Sequence, residues 1–539
     1  MRLDISPGLR SRTLTVAAIL VGSLVTGGWL IVSGTRDGAT TPAEAERLFN
    51  QVLRHVSRYY VDSVDSPVLY RKAVEGMLYE LEDPYTTLLA PDKLGRLNET
   101  TTGNFAGVGL QVDVRDGWLV VIAPLPGSPA ERAGIQPGDR IIELEGRSTR
   151  DWTMEEATKA FRGDAGTSLS FRIERPGLLT PIPFTLVRRA LHQNAVRRVA
   201  MLPNAVGYVD LKAFSDSTTR ELSRSINALL SRGMKSLVLD LRSNPGGLLD
   251  QGLGVADMFL DPGERIVSLK GRSPGANRDY TDSTAQRWPK LPLVVLVDDR
   301  SASAAEIVAG ALQDHDRAVV VGEPTYGKGS AQTIIPLGEI GGLKITTARW
   351  YTPSGRSISK QALREDSEDE RRRKPPQRYR TDAGRIVYGG GGIAPDLIVT
   401  DSASARQLRL FQTALGRKVS QFRDAVTDYA ISLKGRGGEL TQKFVVTPQM
   451  LDEVWKRMVA RGVDIPRMTY DESSNVVSQL LAYDIARFVF GPEAEFRRRV
   501  AADKAIAVAL DLATGVTSEA GMLERASARQ AAQRSAGTE

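Results

Sequence analysis

Residues Leu293–Gln332 read LVVLVDDRSASAAEIVAGALQDHDRAVVVGEPTYGKGSAQ, and this stretch decides the fold. Leu293–Val297 is an unbroken apolar run of strand length, followed by a short polar turn. A strand that does not alternate apolar and polar residues is one covered on both faces. Ser301-Ala302-Ser303-Ala304-Ala305-Glu306 then opens an amphipathic helix with Ile307, Val308, Ala311 and Leu312 on one face. A second buried run, Ala318–Gly322, leads into a glycine-rich loop carrying Lys328. A serine thus stands where one strand turns into a helix, and a lysine stands at the end of the next strand. Those are the parts of a serine–lysine hydrolase site.

The pattern continues outward. Leu237–Leu241 is a third buried run, and helical patterns at Thr218–Leu230, Gly252–Phe259 and Ala304–Gln313 separate the strands. Strand and helix in alternation predict α/β layering with a parallel sheet, whose site lies beyond the carboxyl ends of the strands. Three unusual loops converge there: Arg242-Ser243-Asn244-Pro245-Gly246-Gly247, Ser301-Ala302-Ser303-Ala304 and Thr325-Tyr326-Gly327-Lys328-Gly329-Ser330. A serine hydroxyl becomes a nucleophile when a base takes its proton, and a desolvated lysine can be that base. The N–H of Ala304 at the helix start and a glycine N–H from Gly246 or Gly247 are candidate oxyanion donors. Gln332 lies on the extended stretch Ala331–Ile335, where strand alternation turns it to the side of Lys328. Spacing alone leaves Ser301 and Ser303 both open as the nucleophile.

Two other motifs are weighed and set aside. Gly322 through Lys328 nearly fits a phosphate loop, but Gly329 replaces the metal-binding Ser or Thr, and the following residues read as strand rather than helix. Asn244-Pro245-Gly246-Gly247 resembles the nucleophile loop of trypsin-like enzymes with proline where the serine belongs. His192, near a domain junction, reads as structural.

Upstream, Phe105–Arg189 is built of short strands and turns, with helical pieces at Pro129–Ala133 and Thr153–Phe161. Gly107-Val108-Gly109-Leu110 runs into a strand, and Gly127-Ser128-Pro129-Ala130, Ala133-Gly134, Pro137-Gly138-Asp139 and Glu145-Gly146 follow in order. This order resembles a PDZ domain of the permuted bacterial type. A peptide would add as a strand beside Leu110–Val114, with its terminal carboxylate in the amide nest of Gly107, Val108, Gly109 and Leu110. Ala157, Ala160 and Phe161 would wall a pocket for an apolar last residue. Arg162, just after the pocket helix, is a candidate sensor of bound peptide and otherwise a solvated helix-end charge.

The serine and lysine loops, together with Gly310-Ala311-Leu312-Gln313-Asp314 and Thr347-Ala348-Arg349-Trp350-Tyr351-Thr352-Pro353-Ser354-Gly355-Arg356, resemble the carboxyl-terminal processing proteases. These are tail-specific serine peptidases. The likeness runs from about Thr41 to Thr400. It implies a crotonase-like α/β core with a PDZ domain inserted ahead of it. It also implies Ser303 as nucleophile, Lys328 as general base and Gln332 as the amide that orients the lysine. Ala305 stands where the family usually has another serine, one that is not the nucleophile. His315, near a position usually tyrosine or asparagine, reads as a surface residue at a helix end.

Composition bounds the rest. The chain has 539 residues with 41% hydrophobic and 25% charged residues, ordinary values for globular protein. The net charge of +7 is not gathered into a basic stripe with interleaved aromatics, so nucleic acid is not an expected partner. There is no cysteine, which excludes disulfides, thiolate metal sites and a cysteine nucleophile. His55, His192 and His315 lie in unrelated contexts, so no metal or organic cofactor is expected. Residues 13–35 carry no charge and are long enough to span a bilayer, with Arg2, Arg10 and Arg12 before them and Trp29 near the far end. This predicts a cytoplasmic segment 1–12, a transmembrane anchor 13–35 and a body on the extracytoplasmic, periplasmic side. Secretion after cleavage near Ala43-Glu44-Ala45 is the alternative.

The expected order is therefore a helical region 41–104, a PDZ domain 105–189, a peptidase core 190–400, a helical region 401–516 and a disordered tail 517–539. The helical region would pack on the core or build a homo-oligomer. The charge run 366–374 reads as a solvated insertion. The predicted activity is serine endopeptidase action on protein or peptide substrates with exposed C-termini. A catalytically inert PDZ-containing scaffold at the membrane is the alternative, and the joint presence of Ser303, Lys328 and Gln332 argues against it.

Overall fold

The computed structural model describes residues 41–360, 377–400, 402–434 and 440–536. The expected segments 1–12 and 13–35 and the charge run 366–374 lie outside the described residues. Among the described residues no helix is long and apolar enough to cross a membrane. The described chain divides at Leu88 into two compact units. In the first, Pro42–Tyr59 (α1) starts at a Thr41–Glu44 capping box, and Ser66–Tyr79 (α2) follows. Leu53 of α1 and Leu78 of α2 are buried.

The second unit begins with Pro91–Thr102 (α3) and a β module. Its elements are Asn104–Gly107 (β1), Leu110–Arg115 (β2), Trp118–Pro124 (β3), Arg140–Leu144 (β4), Met154–Phe161 (α4), Ser168–Glu174 (β5), Ile182–Val187 (β6) and Arg189–His192 (β7). The main sheet runs β2-β3-β4-β5-β6, all antiparallel, so β2 is an edge strand. β1 and β7 pair where the chain enters and leaves the module. There His192 fulfils the structural reading: Nδ1 meets Asn104 Oδ1 at 2.8 Å, and Nε2 meets Glu221 Oε1 at 2.8 Å.

The core follows as Val196–Leu202 (β8), Val206–Leu211 (β9), Thr218–Ser231 (α5), Ser236–Asp240 (β10), Leu249–Asp257 (α6), Arg265–Lys270 (β11), Arg278–Thr281 (β12), Leu293–Val297 (β13), Ala304–Asp314 (α7), Val319–Gly322 (β14), Ser330–Pro336 (β15), Gly342–Tyr351 (β16) and Leu397–Ile398 (β17). One sheet has the order β8-β9-β10-β13-β14-β17, parallel except for β8. β13 and β14 at its centre carry no polar side chain because each residue meets one of two cores in turn. Leu293, Val295 and Val297 of β13 face a core shared with α5, α6 and α7. Val294 and Leu296 face a second core, closed by residues after Ala502.

The remaining helices are Ser402–Leu415 (α8), Val419–Lys434 (α9), Pro448–Ala460 (α10), Ser474–Phe490 (α11), Pro492–Ala502 (α12), Lys504–Ala513 (α13) and Glu519–Ala536 (α14). α8 to α11 gather around Phe411, Phe422, Tyr470 and Leu481 as a lobe. This lobe grips the β module. Arg461 binds both oxygens of Asp116 at the β2–β3 turn (3.1 and 2.7 Å), and Lys434 donates to Pro137 O at 3.1 Å.

Two sequence expectations change here. The sequence pattern predicts one helix over Glu493–Leu512, but it breaks at Asp503, whose carboxylate accepts from Ala505 N and Ile506 N and so starts a new helix. The tail expected to be disordered from 517 onward holds α14, with Met522 and Ala526 buried against the sheet. Alanine gives that segment helix propensity, and the open sheet face supplies the packing.

Candidate functional site

The parallel strands β10, β13 and β14 deliver the three converging loops at their carboxyl ends. Ser303 is the N-cap of α7 and has φ 57 and ψ −117, a region that non-glycine residues rarely occupy. Such a residue stores about 1–3 kcal/mol of strain and persists only when its neighbours over-determine it. Here they do. Ser303 N–H donates to Glu306 Oε2 at 2.8 Å, while Ser303 O accepts from Glu306 N and Ile307 N. Ser303 remains partly exposed.

Ser301, two residues earlier, is in a different situation. It is fully buried. Its hydroxyl donates to Leu241 O at 2.8 Å and accepts from Asp298 N at 3.0 Å. It ties the end of β10 to the turn after β13, which leaves its oxygen no approach to a substrate.

Glu306 is the residue that sequence reasoning missed. It is fully buried in the first turn of α7. Oε1 accepts from Thr325 Oγ1 at 2.5 Å and Gly327 N at 2.7 Å; Oε2 accepts from Ser303 N and, at 3.0 Å, from Lys328 N. The amides of Ser303 and Lys328 therefore converge on one oxygen. Burial raises the Glu306 carboxyl above its usual range, and these four donors oppose that rise. The signal was present as Ser303-x-x-Glu306, a capping-box pattern. Read locally it marks only a helix start. Glu306→Gln places an NH2 against two donors, so kcat should fall roughly ten- to hundredfold with KM little changed, alongside a stability loss of about 1–3 kcal/mol. Steady-state kinetics on a soluble variant checks this, and an unaltered kcat would remove Glu306 from the site.

The Lys328 loop is fixed from the other side by Trp350, a buried side chain whose Nε1 donates to Lys328 O at 3.0 Å. Gln332 lies on β15. Its amide donates to Ser330 Oγ at 2.9 Å and Thr346 Oγ1 at 3.3 Å. A register shift between Ala331 and Gln332 interrupts the regular alternation by which Gln332 was read onto the side of Lys328.

The third loop abuts the turn at Ser303. A Cβ on Gly246 (φ 91) would sit 2.7 Å from the Ser303 Cβ and 2.9 Å from Ala304 N, so only glycine permits this approach. Asn244, fully buried, fastens the loop: Nδ2 donates to Leu211 O at 2.9 Å, Oδ1 accepts from Gly246 N at 2.9 Å, and its carbonyl accepts from Ala302 N at 2.9 Å. Gly246 N–H is thereby committed. Gly247 bridges Phe214 in parallel fashion, through Phe214 N to Gly246 O and Leu248 N to Phe214 O, which turns the Gly247 amide away from Phe214. Ala304 N–H, in the first helical position, has no acceptor within its own helix.

In the β module, Val108 carbonyl accepts from Ala130 N and Gly109 carbonyl from Leu125 N, which shapes the Gly107–Leu110 loop ahead of β2. Ala157 and Phe161, expected as pocket walls, belong to the module's core, while Ala160 and Leu110 are partly buried at its edge. Arg162 bridges Gly107, pairs with Glu99 of α3 and lies over the Phe105 ring at 5.6 Å. His315 is not a surface residue: its side chain is 8% exposed, with Nδ1 2.7 Å from Asp382 Oδ2 and Nε2 2.7 Å from Arg265 O. Burial alone would lower its pKa, but these acceptors and Glu264 raise it overall.

Residues 205–368 match the model of peptidase family S41, and residues 120–175 match that of the PDZ domain. The first match contains all three converging loops; the second leaves Gly107–Leu110 outside it. The carboxy-terminal-processing protease of Bartonella bacilliformis is 39% identical over 314 residues, 58% of this chain and 71% of that protein. The chain belongs to the carboxy-terminal processing proteases. A relative in this family from Synechocystis sp. is 36% identical over 364 residues, 63% of this chain and 84% of that protein. A solved photosystem II D1 C-terminal processing protease covers 66% of this chain and 92% of its own, at 29% identity and a TM-score of 0.36. The protease is accordingly a serine-type peptidase with a PDZ domain and a helical C-terminal region.

Proposed function

We propose that this serine peptidase is anchored in the membrane through residues 13–35, faces the periplasmic side and cleaves with a Ser303–Lys328 dyad. The observation that carries the dyad is the Glu306 carboxylate, one oxygen of which accepts from the amides of both residues. In this reading the Lys328 amine takes the Ser303 proton as Oγ attacks the scissile carbonyl. Ala304 N–H and Gly247 N–H, rather than the committed Gly246, receive the oxyanion. The protonated lysine then gives its proton to the leaving amine, and a water hydrolyses the acyl-enzyme by the same steps. By the family resemblance Gln332 orients the amine, its Nε2 being held by Ser330 and Thr346 and its Oε1 left to accept. Ser301 has a structural role.

The PDZ domain takes the substrate's C-terminal carboxylate in the amides of Gly107–Leu110 and lays the preceding residues along the β2 edge. Arg162, bridged to Gly107, adjoins that nest. Amidating the C-terminus of an unfolded substrate should lower kcat/KM about ten- to hundredfold, the worth of one or two hydrogen bonds to a charged group. Equal rates for the free acid and the amide would rule out carboxylate capture.

A further inference from the structure

The two proposed oxyanion donors sit on different loops, Ala304 N–H after β13 and Gly247 N–H after β10, so the site depends on how those loops are held together. β10 and β13 are parallel, and their ladder runs from Leu237 N–H to Pro292 O and from Leu241 N–H to Leu296 O, both 2.9 Å. The next rung in that series joins Ser243 N–H to Asp298 O. The Asp298 carbonyl serves another bond, accepting from Ser301 N–H at 2.9 Å where the chain turns. The Asp298 side chain makes the rung instead. Oδ1 accepts from Ser243 N–H at 2.7 Å and from Arg300 N–H at 3.1 Å, and Oδ2 accepts from the Ser243 hydroxyl at 3.1 Å.

Ser243 needs that hold. Its φ is 56, in the left-handed region that non-glycine residues seldom occupy. Such a backbone persists only where its neighbours over-determine it. Ser243 leads directly into Asn244, whose side chain occupies Gly246 N–H and whose carbonyl accepts from Ala302 N–H. Two cross-bonds therefore lace the glycine loop to the serine loop, one at Ser243 and one at Asn244, on the approach to Gly247. The Asp298 side chain is 16% exposed, so its bonds are stronger than they would be in water. Its ion pair with Arg300, 3.5 Å long to a side chain that is 73% exposed, adds little.

We propose that Asp298 is a positioning residue for the oxyanion site. Acting through Ser243, it sets the Gly247 amide against the Ala304 amide and touches no substrate itself. This role rests on the reading of Ala304 and Gly247 as the oxyanion donors. Misplacing such a group by about 1 Å costs up to about a hundredfold in rate.

The test uses the full chain and compares inhibition by a peptide aldehyde with inhibition by the same peptide ending in a primary alcohol. Ser303 Oγ bonds to the aldehyde carbon, its proton passes to Lys328, and the former carbonyl oxygen becomes the oxyanion. The alcohol binds without that step. Asp298→Ala should weaken the aldehyde about ten- to hundredfold and lower kcat by a similar factor, with KM and the alcohol's Ki little changed. Asp298→Asn loses the charge but keeps Oδ1 for the Ser243 and Arg300 amides, so it should recover most of that loss. Asp298→Glu keeps the charge but moves the acceptors by a methylene, so it should lose about tenfold in the ratio of aldehyde to alcohol affinity. This last pair decides the matter even where Asp298→Ala fails to fold. Equal ratios in all variants, parallel weakening of aldehyde and alcohol, or a Glu variant that outperforms Asn would each overturn the positioning role. If the aldehyde loses its advantage in Ser303→Ala while Asp298→Ala keeps it, the nucleophile stands and Asp298 falls. If the aldehyde keeps its advantage in Ser303→Ala, the reading of Ser303 fails and the role of Asp298 with it.

Discussion

Ser303→Ala should lower kcat on an unfolded protein substrate by roughly four to six orders of magnitude, and Lys328→Ala should do the same, because in the proposed dyad nucleophile and base act as one unit. Lys328→Arg gives no rescue, since a guanidinium does not lose its proton in the working pH range. Ser301→Ala is the informative control. It removes the partner of Asp298 N–H and one of two donors to the Leu241 carbonyl, which keeps Asn244 N–H, so it should cost stability, about 1–3 kcal/mol, while turnover persists. The variants are to be compared by circular dichroism, thermal unfolding and single-turnover cleavage, so that loss of chemistry is separated from loss of fold. The opposite pattern, an active Ser303→Ala and a folded but inactive Ser301→Ala, would move the nucleophile to Ser301. The strained backbone at Ser303 argues against that outcome: φ 57 at a non-glycine residue persists only where surrounding bonds hold it.

Those surrounding bonds mark the boundary of what could be read in the sequence. β13 and β14, and the Leu237–Leu239 run of β10, were legible because two covered faces force apolar residues in succession, a pattern with few other causes. The converging loops were legible because parallel strands deliver their carboxyl ends to one edge. Glu306 was not, although its motif was in view. A capping box is a contact over three residues, whereas the bonds to Thr325, Gly327 and Lys328 span 19 to 22 positions and exist only in the folded chain. The same holds for Asn244: proline and glycine announce a turn, but which amide its side chain occupies depends on the tertiary path. That side chain occupies the Gly246 N–H, which is why the proposed reading turns to Gly247 as the glycine donor. His315 was misjudged for a related reason. A polar residue at a helix end is usually solvated, whereas here Arg265 and Asp382, both distant in the sequence, hold its ring.

The tail gives the second large effect. Read alone, residues 517–539 are alanine-, serine-, arginine- and glutamine-rich, and removing a disordered end would change nothing. In the folded chain Met522 and Ala526 are buried, Gln530 donates to Asp396 O at 2.9 Å, and Glu519 lies 3.1 Å from the guanidinium of the nearly buried Arg317. A chain ending at Thr517 should therefore lose several kcal/mol: about 1.5–3 for a side chain such as Met522, and more for leaving the Arg317 charge without its carboxylate. A chain ending at Asp503 also loses Ile506, Val508 and Leu512, which cover Val238, Val294, Leu296, Val319 and Val321. Together with the loss of α14 that is comparable to the roughly 5–15 kcal/mol by which a domain is stable, so the shorter chain should not yield a soluble peptidase. The chain ending at Thr517 is the decisive measurement, because it should fold and unfold at a temperature lower by at least several degrees. An unchanged midpoint would return the tail to the disordered reading. A lowered midpoint with intact kcat would show that α14 supports the sheet behind Ser303 without taking part in its chemistry.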